Sequence, residues 1–214
     1  MKQIIIPYNE AIDLIDEADI LLFRSGRFWT PGYWIAKYGK GIHSHAALAT
    51  RVGEDWNCVE FREGAGARSV SLRGQADCYT ESIDIFRISP EIHKNSLHKT
   101  PSGDYTTYSE ASVFDREVAQ EITKEMNSLT GNKYSWWTIV KFAKGLLPFT
   151  RLFSNNYSFD DTKVSDGFVC STSIAYAYRK FGFDLIPMLS DGYTAPPDLA
   201  RSAVLQYLFT IGDV

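Results

Sequence analysis

Cysteine is scarce in this chain: 214 residues contain only Cys58, Cys78 and Cys170. An odd number with no CxxC spacing argues against a disulfide framework and against a paired-cysteine zinc site. Positive charge is in short supply too. The 22 Lys and Arg are outnumbered by 26 Asp and Glu, for a net charge of -4, and no basic run or basic amphipathic segment occurs. That removes the clustered cationic surface a nucleic-acid partner needs, and attraction to anionic lipid with it. Long apolar runs are missing as well: no stretch approaches the roughly 18 apolar residues of a membrane span. The opening MKQIIIPYNEAIDLIDEADILLF has one lysine and an apolar run broken by Pro7 and several carboxylates, so no secretory signal is expected. These absences predict a soluble, cytoplasmic chain with no metal and no cofactor.

What is present is an ordinary globular mix, 44% hydrophobic and 22% charged, enough to bury a core. The length predicts one domain over residues 1–214, with polar insertions near 89–112 and 149–167. The first half reads as strands. Asp19 to Arg24 is a short apolar run stopped by Ser25-Gly26, and HAALAT (from His45) and WNCVEF (from Trp56) flank a Gly53-containing turn, a hairpin signal. Arg68 to Leu72 and Ser82 to Ile88 supply two more candidate strands, the second with Phe86 and Ile88 on one face. Ser89 to Ser112 is polar and aperiodic, the pattern of a surface loop or a flap over a site. Helices follow. Val118, Ile122, Met126 and Leu129 repeat at helical spacing behind Ser112 or Asp115 as N-cap. Tyr134 to Lys144 is a second helix, and Ser171 to Phe181, stopped by Gly182, a third. Thr194-Ala195-Pro196-Pro197-Asp198 opens a short fourth, and Val204 to Ile211 reads as a closing strand.

Cys170 stands where an apolar lead, Phe168-Val169, meets the first turn of a helix. Free N–H groups and the positive end of the helix dipole lower a thiol's pKa there, and the same N–H groups can receive an oxyanion. The bland alternative is an inert core cysteine. A thiolate nucleophile needs an imidazole, itself oriented by a third polar group. Of the four histidines, His93 and His98 lie in the polar connection, and His43 and His45 flank Ser44 at a strand start. His45 is the candidate base, because the small Ala47 and Ala49 share its face and leave room for a partner helix. Glu60, near the end of the paired strand, is the candidate orienting group. Glu63 is its competitor, which alternation puts on the opposite face.

Taken together, ADILLFR (18–24), Ser44-His45-Ala46-Ala47-Leu48, Val59-Glu60, Gly131-Asn132-Lys133-Tyr134, Val169-Cys170-Ser171 and YTAPPDLA (193–200) resemble the permuted, YiiX-like branch of the NlpC/P60 papain-like superfamily. In the unpermuted branch the tyrosine and cysteine precede the histidine and the polar residue; here the order is exchanged, as a circular permutation leaves it. The resemblance implies an α+β papain-like fold, a small antiparallel sheet packed against helices. It also implies Cys170 as nucleophile, His45 as base, Glu60 as orienting group and Tyr134 near the nucleophile as an oxyanion partner. Two positions depart from the family pattern: Cys170-Ser171-Thr172 replaces Cys-Ser-Glu, and Ala18 replaces a glycine. The implied activity is hydrolysis of an amide bond in a peptide, including cell-wall-type peptides. Two alternatives share the residues. One is a lipid-acting acyltransferase or thioesterase, with Phe28, Trp29, Tyr33, Trp34, Trp136 and Trp137 around an acyl chain. The other is a non-catalytic binding module.

Overall fold

The computed structural model describes residues 3–26, 31–78, 82–89, 97–99, 105–107, 113–133, 169–186, 189, 191 and 194–212. Its strands are β1 (Ile5–Ile6), β2 (Ile20–Arg24), β3 (His43–Val52), β4 (Asp55–Arg62), β5 (Gly66–Ser71), β6 (Ile83–Ile88), β7 (Leu97–Lys99), β8 (Tyr105–Thr107) and β9 (Leu205–Ile211). The helices are α1 (Tyr8–Ala11), α2 (Pro31–Tyr38), α3 (Leu72–Cys78), α4 (Arg116–Ser128), α5 (Cys170–Lys180) and α6 (Pro196–Ala200).

Seven strands form one sheet in the order β1-β9-β6-β2-β3-β4-β5. All its pairings are antiparallel except β1 with β9. Strand β2 sits at its centre and has no polar face. Ile20 and Leu22 enter one core cluster with α4 and α5, while Leu21 and Phe23 enter a second with α1 and Leu72. Both faces are covered, so the run reads as continuous rather than alternating. The β3–β4 hairpin closes on the loop residues Gly53 and Glu54, with Val52 paired to Asp55. Gly53 holds φ 66°, which the first position of such a tight loop requires and glycine supplies without strain.

Helix α4 is capped by Asp115, whose side chain accepts from the Val118 N–H at 2.9 Å. It buries Ala119, Ile122 and Met126 against α5 and the sheet. Helix α5 is buried on nearly every side. It ends at Gly182 (φ 90°), and its Tyr178 hydroxyl donates to the Ala18 carbonyl at 2.5 Å. Ala18 itself sits at φ 65°, in the left-handed region that favours glycine.

Several expectations change. The predicted strand Arg68–Leu72 lies at Gly66–Ser71, and Leu72 instead begins α3. The reason is a cap, the Ser71 hydroxyl accepting from the Gly74 N–H at 3.3 Å, a serine signal overlooked in a strand-like run. Cys78 is the last residue of this helix. Helices α1 and α2 were not foreseen, since both are too short to show a period. The polar connection 89–112 contains the paired strands β7 and β8 instead of loop alone. The predicted helix Tyr134–Lys144 and the polar stretch 149–167 lie outside the described residues.

Candidate active site

The site is assembled by a sheet irregularity and a helix start. In the β2–β3 ladder Phe23 pairs with His45 but Arg24 pairs with His43, so Ser44 is an inserted residue. Regular alternation would give His43 and His45 the same face; a bulge re-aims side chains. Here the two histidines meet different carboxylates. His43 Nε2 lies 2.7 Å from Asp84 Oδ2, and His45 Nε2 lies 2.5 Å from Glu60 Oε2.

Glu60 stands opposite Ala47 in the β3–β4 ladder. Since Ala47 and His45 are two residues apart on β3, His45 and Glu60 are diagonal neighbours on one face. Glu63 follows β4 in an exposed turn, away from this contact. Across the next ladder Glu60 faces Arg68, whose Nε and Nη2 donate to Glu60 Oε1 at 2.8 and 2.5 Å. Arg62 Nη1 is 3.8 Å from Oε2. The Phe23 ring packs 5.2 Å from the imidazole centroid and limits its tilt.

Cys170 is the first residue of α5. Thr172 seals that end, its hydroxyl accepting from the Val169 N–H at 2.9 Å, and the Ser171 hydroxyl donates to the Thr194 carbonyl at 2.6 Å. The buried thiol hydrogen-bonds with His45 and receives the N–H groups of Ala46 and Ser171. With Nε2 committed to Glu60, the other ring nitrogen, Nδ1, is the one left for sulfur.

Charge follows from this geometry. Burial pushes the Cys170 thiol up, but the adjacent imidazolium and the two N–H groups outweigh it, so the thiol lies below its ordinary value. Burial pulls His45 down, yet the neighbouring sulfur anion and Glu60 raise it to about 9. Burial likewise opposes ionisation of Glu60, and the hydrogen bonds and charges of His45, Arg68 and Arg62 hold it at about 2. At neutral pH His45 is then an imidazolium and Glu60 a carboxylate, beside a thiol more acidic than usual. Cys58 shows the contrast: buried in β4 with Glu60 nearby and no imidazole, its thiol is pushed far up. Cys78 is exposed.

Tyr134, the expected oxyanion partner, falls outside the described residues, as do Phe28, Trp29, Trp136 and Trp137. Tyr33 and Trp34 lie on α2, edge-on at 5.4 Å, with the Lys37 ammonium over both rings. Arg68 was not singled out from sequence, although the hairpin pattern that pairs its strand with that of Glu60 was the available signal. The Asp84 partner of His43 had no such signal, because β6 reaches the site through β2, a separation of 41 residues from His43.

Fold and site together define an α+β protein with a buried cysteine at a helix start, in line with a histidine, a glutamate and an arginine. No protein-family model matches the chain, and no curated protein matches it either. Among solved structures it is similar to the metalloprotein YiiX from Escherichia coli O157:H7, with a TM-score of 0.55 and 10% identity over 92% of this chain and 98% of that one. At that identity the likeness concerns the fold. A metal does not fit the residues of this site. Ligands of one ion aim their donors at a common centre. Here the imidazole stands between the thiol and the carboxylate, and two arginines face the carboxylate. Among the described residues no group of three or more His, Cys, Asp or Glu is placed to hold an ion. Nor is any described helix long and apolar enough to cross a membrane.

Proposed function

We propose that this chain is a cysteine hydrolase of the circularly permuted papain-like kind, cleaving an amide bond of a peptide substrate through Cys170, His45 and Glu60. The observation that carries the reading is the line of contacts from the Cys170 thiol at the start of α5, through the His45 imidazole, to Glu60. Each component answers a requirement of thiol catalysis: an acidified nucleophile, a proton carrier beside it, and a group that fixes the carrier's tautomer.

In the first half-reaction the Cys170 thiolate attacks the carbonyl carbon and a C–S bond forms. The oxyanion is received by backbone N–H groups of the first turn of α5, with Tyr134 as the partner the family resemblance adds. As the intermediate collapses, the C–N bond breaks and His45 Nδ1–H gives its proton to the departing amine. Neutral His45 then takes a proton from water, which adds to the thioester carbonyl. The acid leaves and the thiolate is restored. Proton transfer by a placed imidazole contributes about 10²–10⁴-fold. Glu60, ionised at neutral pH, stabilises the imidazolium that carries the proton between the two steps.

A second reading keeps the same residues and changes the acyl group. Helix α2 packs on β3, the strand that carries His45, and presents the partly exposed aromatic side chains of Tyr33 and Trp34. That favours a lipid acyl ester or thioester as substrate, and a panel of peptidyl and fatty-acyl electrophiles separates the two readings by which labels Cys170 faster.

The decisive test is the pH profile of iodoacetamide labelling. Cys170 is expected to react well below the roughly 8.5 of a free thiol, ahead of Cys58 and Cys78, and its profile moves upward in His45→Ala. A Cys170 that titrates like a free thiol and ignores that substitution overturns the hydrolase reading and leaves the binding-module alternative.

A further inference from the structure

We propose that Arg68 is a positioning residue of this site, acting through Glu60 to keep His45 aligned and protonated; the assignment rests on the reading of Cys170 and His45 given above. The geometry divides the carboxylate between two partners. Oε1 takes both Arg68 donors, at 2.8 and 2.5 Å, and Oε2 is left to His45 Nε2 at 2.5 Å. The terminal torsion of a glutamate is soft and cannot by itself decide which oxygen points where. A guanidinium fork on one oxygen decides it.

The same contact adds to His45 in keeping Glu60 charged. The Glu60 side chain is 0% exposed, whereas that of Arg68 is 34% exposed, so the guanidinium links a fully buried carboxylate to the solvent edge. A buried carboxylate that loses a hydrogen-bonded cation takes up a proton more readily. Neutral Glu60 could no longer balance the imidazolium, and the proton on His45 would lose its main support beyond the sulfur. Among the described residues Arg62 also adds positive charge to Glu60, from farther away. Arg62 stands 3.8 Å from Oε2 and turns to Gln75, whose Oε1 accepts from its Nη1 at 3.2 Å. Cys58, a further titratable neighbour, is a neutral buried thiol.

Arg68 is also held where it must be. It pairs directly opposite Glu60 in the β4–β5 ladder. The adjacent Ala67 donates its N–H to the Asn132 carbonyl at 2.9 Å and accepts from the Gly131 N–H at 2.9 Å, which ties down this strand of the sheet. Lysine at this position keeps the charge but loses the fork.

The test follows the His45 imidazole resonances in the full chain through a pH titration, beside the Cys170 labelling profile. In Arg68→Met the His45 midpoint is expected to fall by about one pH unit or more, the size typical of a lost close counter-charge, and the Cys170 profile to move upward. In a Glu60→Gln background, Arg68→Met changes neither. An unchanged His45 midpoint in Arg68→Met overturns the proposal. So does a fall that persists undiminished in the Glu60→Gln background, which would mean that Arg68 acts through the fold. Should Arg68→Met not fold, the equally uncharged Arg68→Gln carries the measurement: a lower His45 midpoint supports the proposal and an unchanged one overturns it. The hydrolase reading fails separately, through a wild-type Cys170 that labels like a free thiol, because the Arg68–Glu60–His45 linkage is read on the imidazole alone.

Discussion

Replacing Glu60 by glutamine keeps the size of the side chain and removes its charge, so it isolates what that charge contributes. The carboxyl is held at about 2 against an ordinary 4.5. At about 1.4 kcal/mol per pH unit the difference amounts to about 3 kcal/mol of folding stability. The folded-state value is depressed, so this stability is fully present above 4.5 and is lost as pH falls through about 2. The opposite sign holds for His45. Raised to about 9 from 6.5, its contribution is complete below 6.5 and fades as pH climbs through 9. Glu60 is therefore read on the acid side, where His45 is already protonated. Urea unfolding of wild type and Glu60→Gln is compared from about pH 5 down to about pH 2, over which linkage makes the gap in unfolding free energy shrink by about 3 kcal/mol. Other carboxylates, Asp84 among them, titrate alike in both proteins and cancel. If the two stability curves instead fall in parallel, Glu60 is not ionised by its neighbours in the folded chain, and the charge line from Arg68 to Cys170 is wrong.

Turnover on a peptidyl substrate should drop by about 10²–10⁴-fold in Glu60→Gln, the scale of losing a well-oriented imidazole, with far-UV circular dichroism unchanged. Glu63→Gln should leave turnover at the wild-type value, since its side chain sits in an exposed turn; equal losses in the two variants would contradict the β3–β4 register. Gly66→Ala and Gly53→Ala separate strain from collision. Both glycines have positive φ, but a Cβ on Gly53 meets open space whereas one on Gly66 runs into the Asn132 carbonyl oxygen. Thermal unfolding should show a cost of about 1 kcal/mol at Gly53 and up to about 3 kcal/mol at Gly66. Equal costs would mean that the β5 edge is not held against residue 132.

The candidate nucleophile, base and carboxylate were legible before any coordinates, and for local reasons. A cysteine at a helix start, a histidine heading a run of small residues and a glutamate on the partner strand of a hairpin are all signals within one or two elements. Hairpin register reaches only the next strand, so it carried the pairing of His45 with Glu60 and could have carried Arg68. It could not separate His43 from His45. That separation comes from the insertion of Ser44 in the ladder, and a bulge is a property of two paired strands, invisible in either alone. The approach of Cys170 to His45 across 125 positions of sequence is likewise tertiary: it depends on α5 packing against the sheet and on Ser171 tying to Thr194. Residue types and their order determined which groups could do thiol chemistry. The packing of α5 on a bulged sheet decided that they meet, and that Glu60, buried between a histidine and an arginine, keeps its charge.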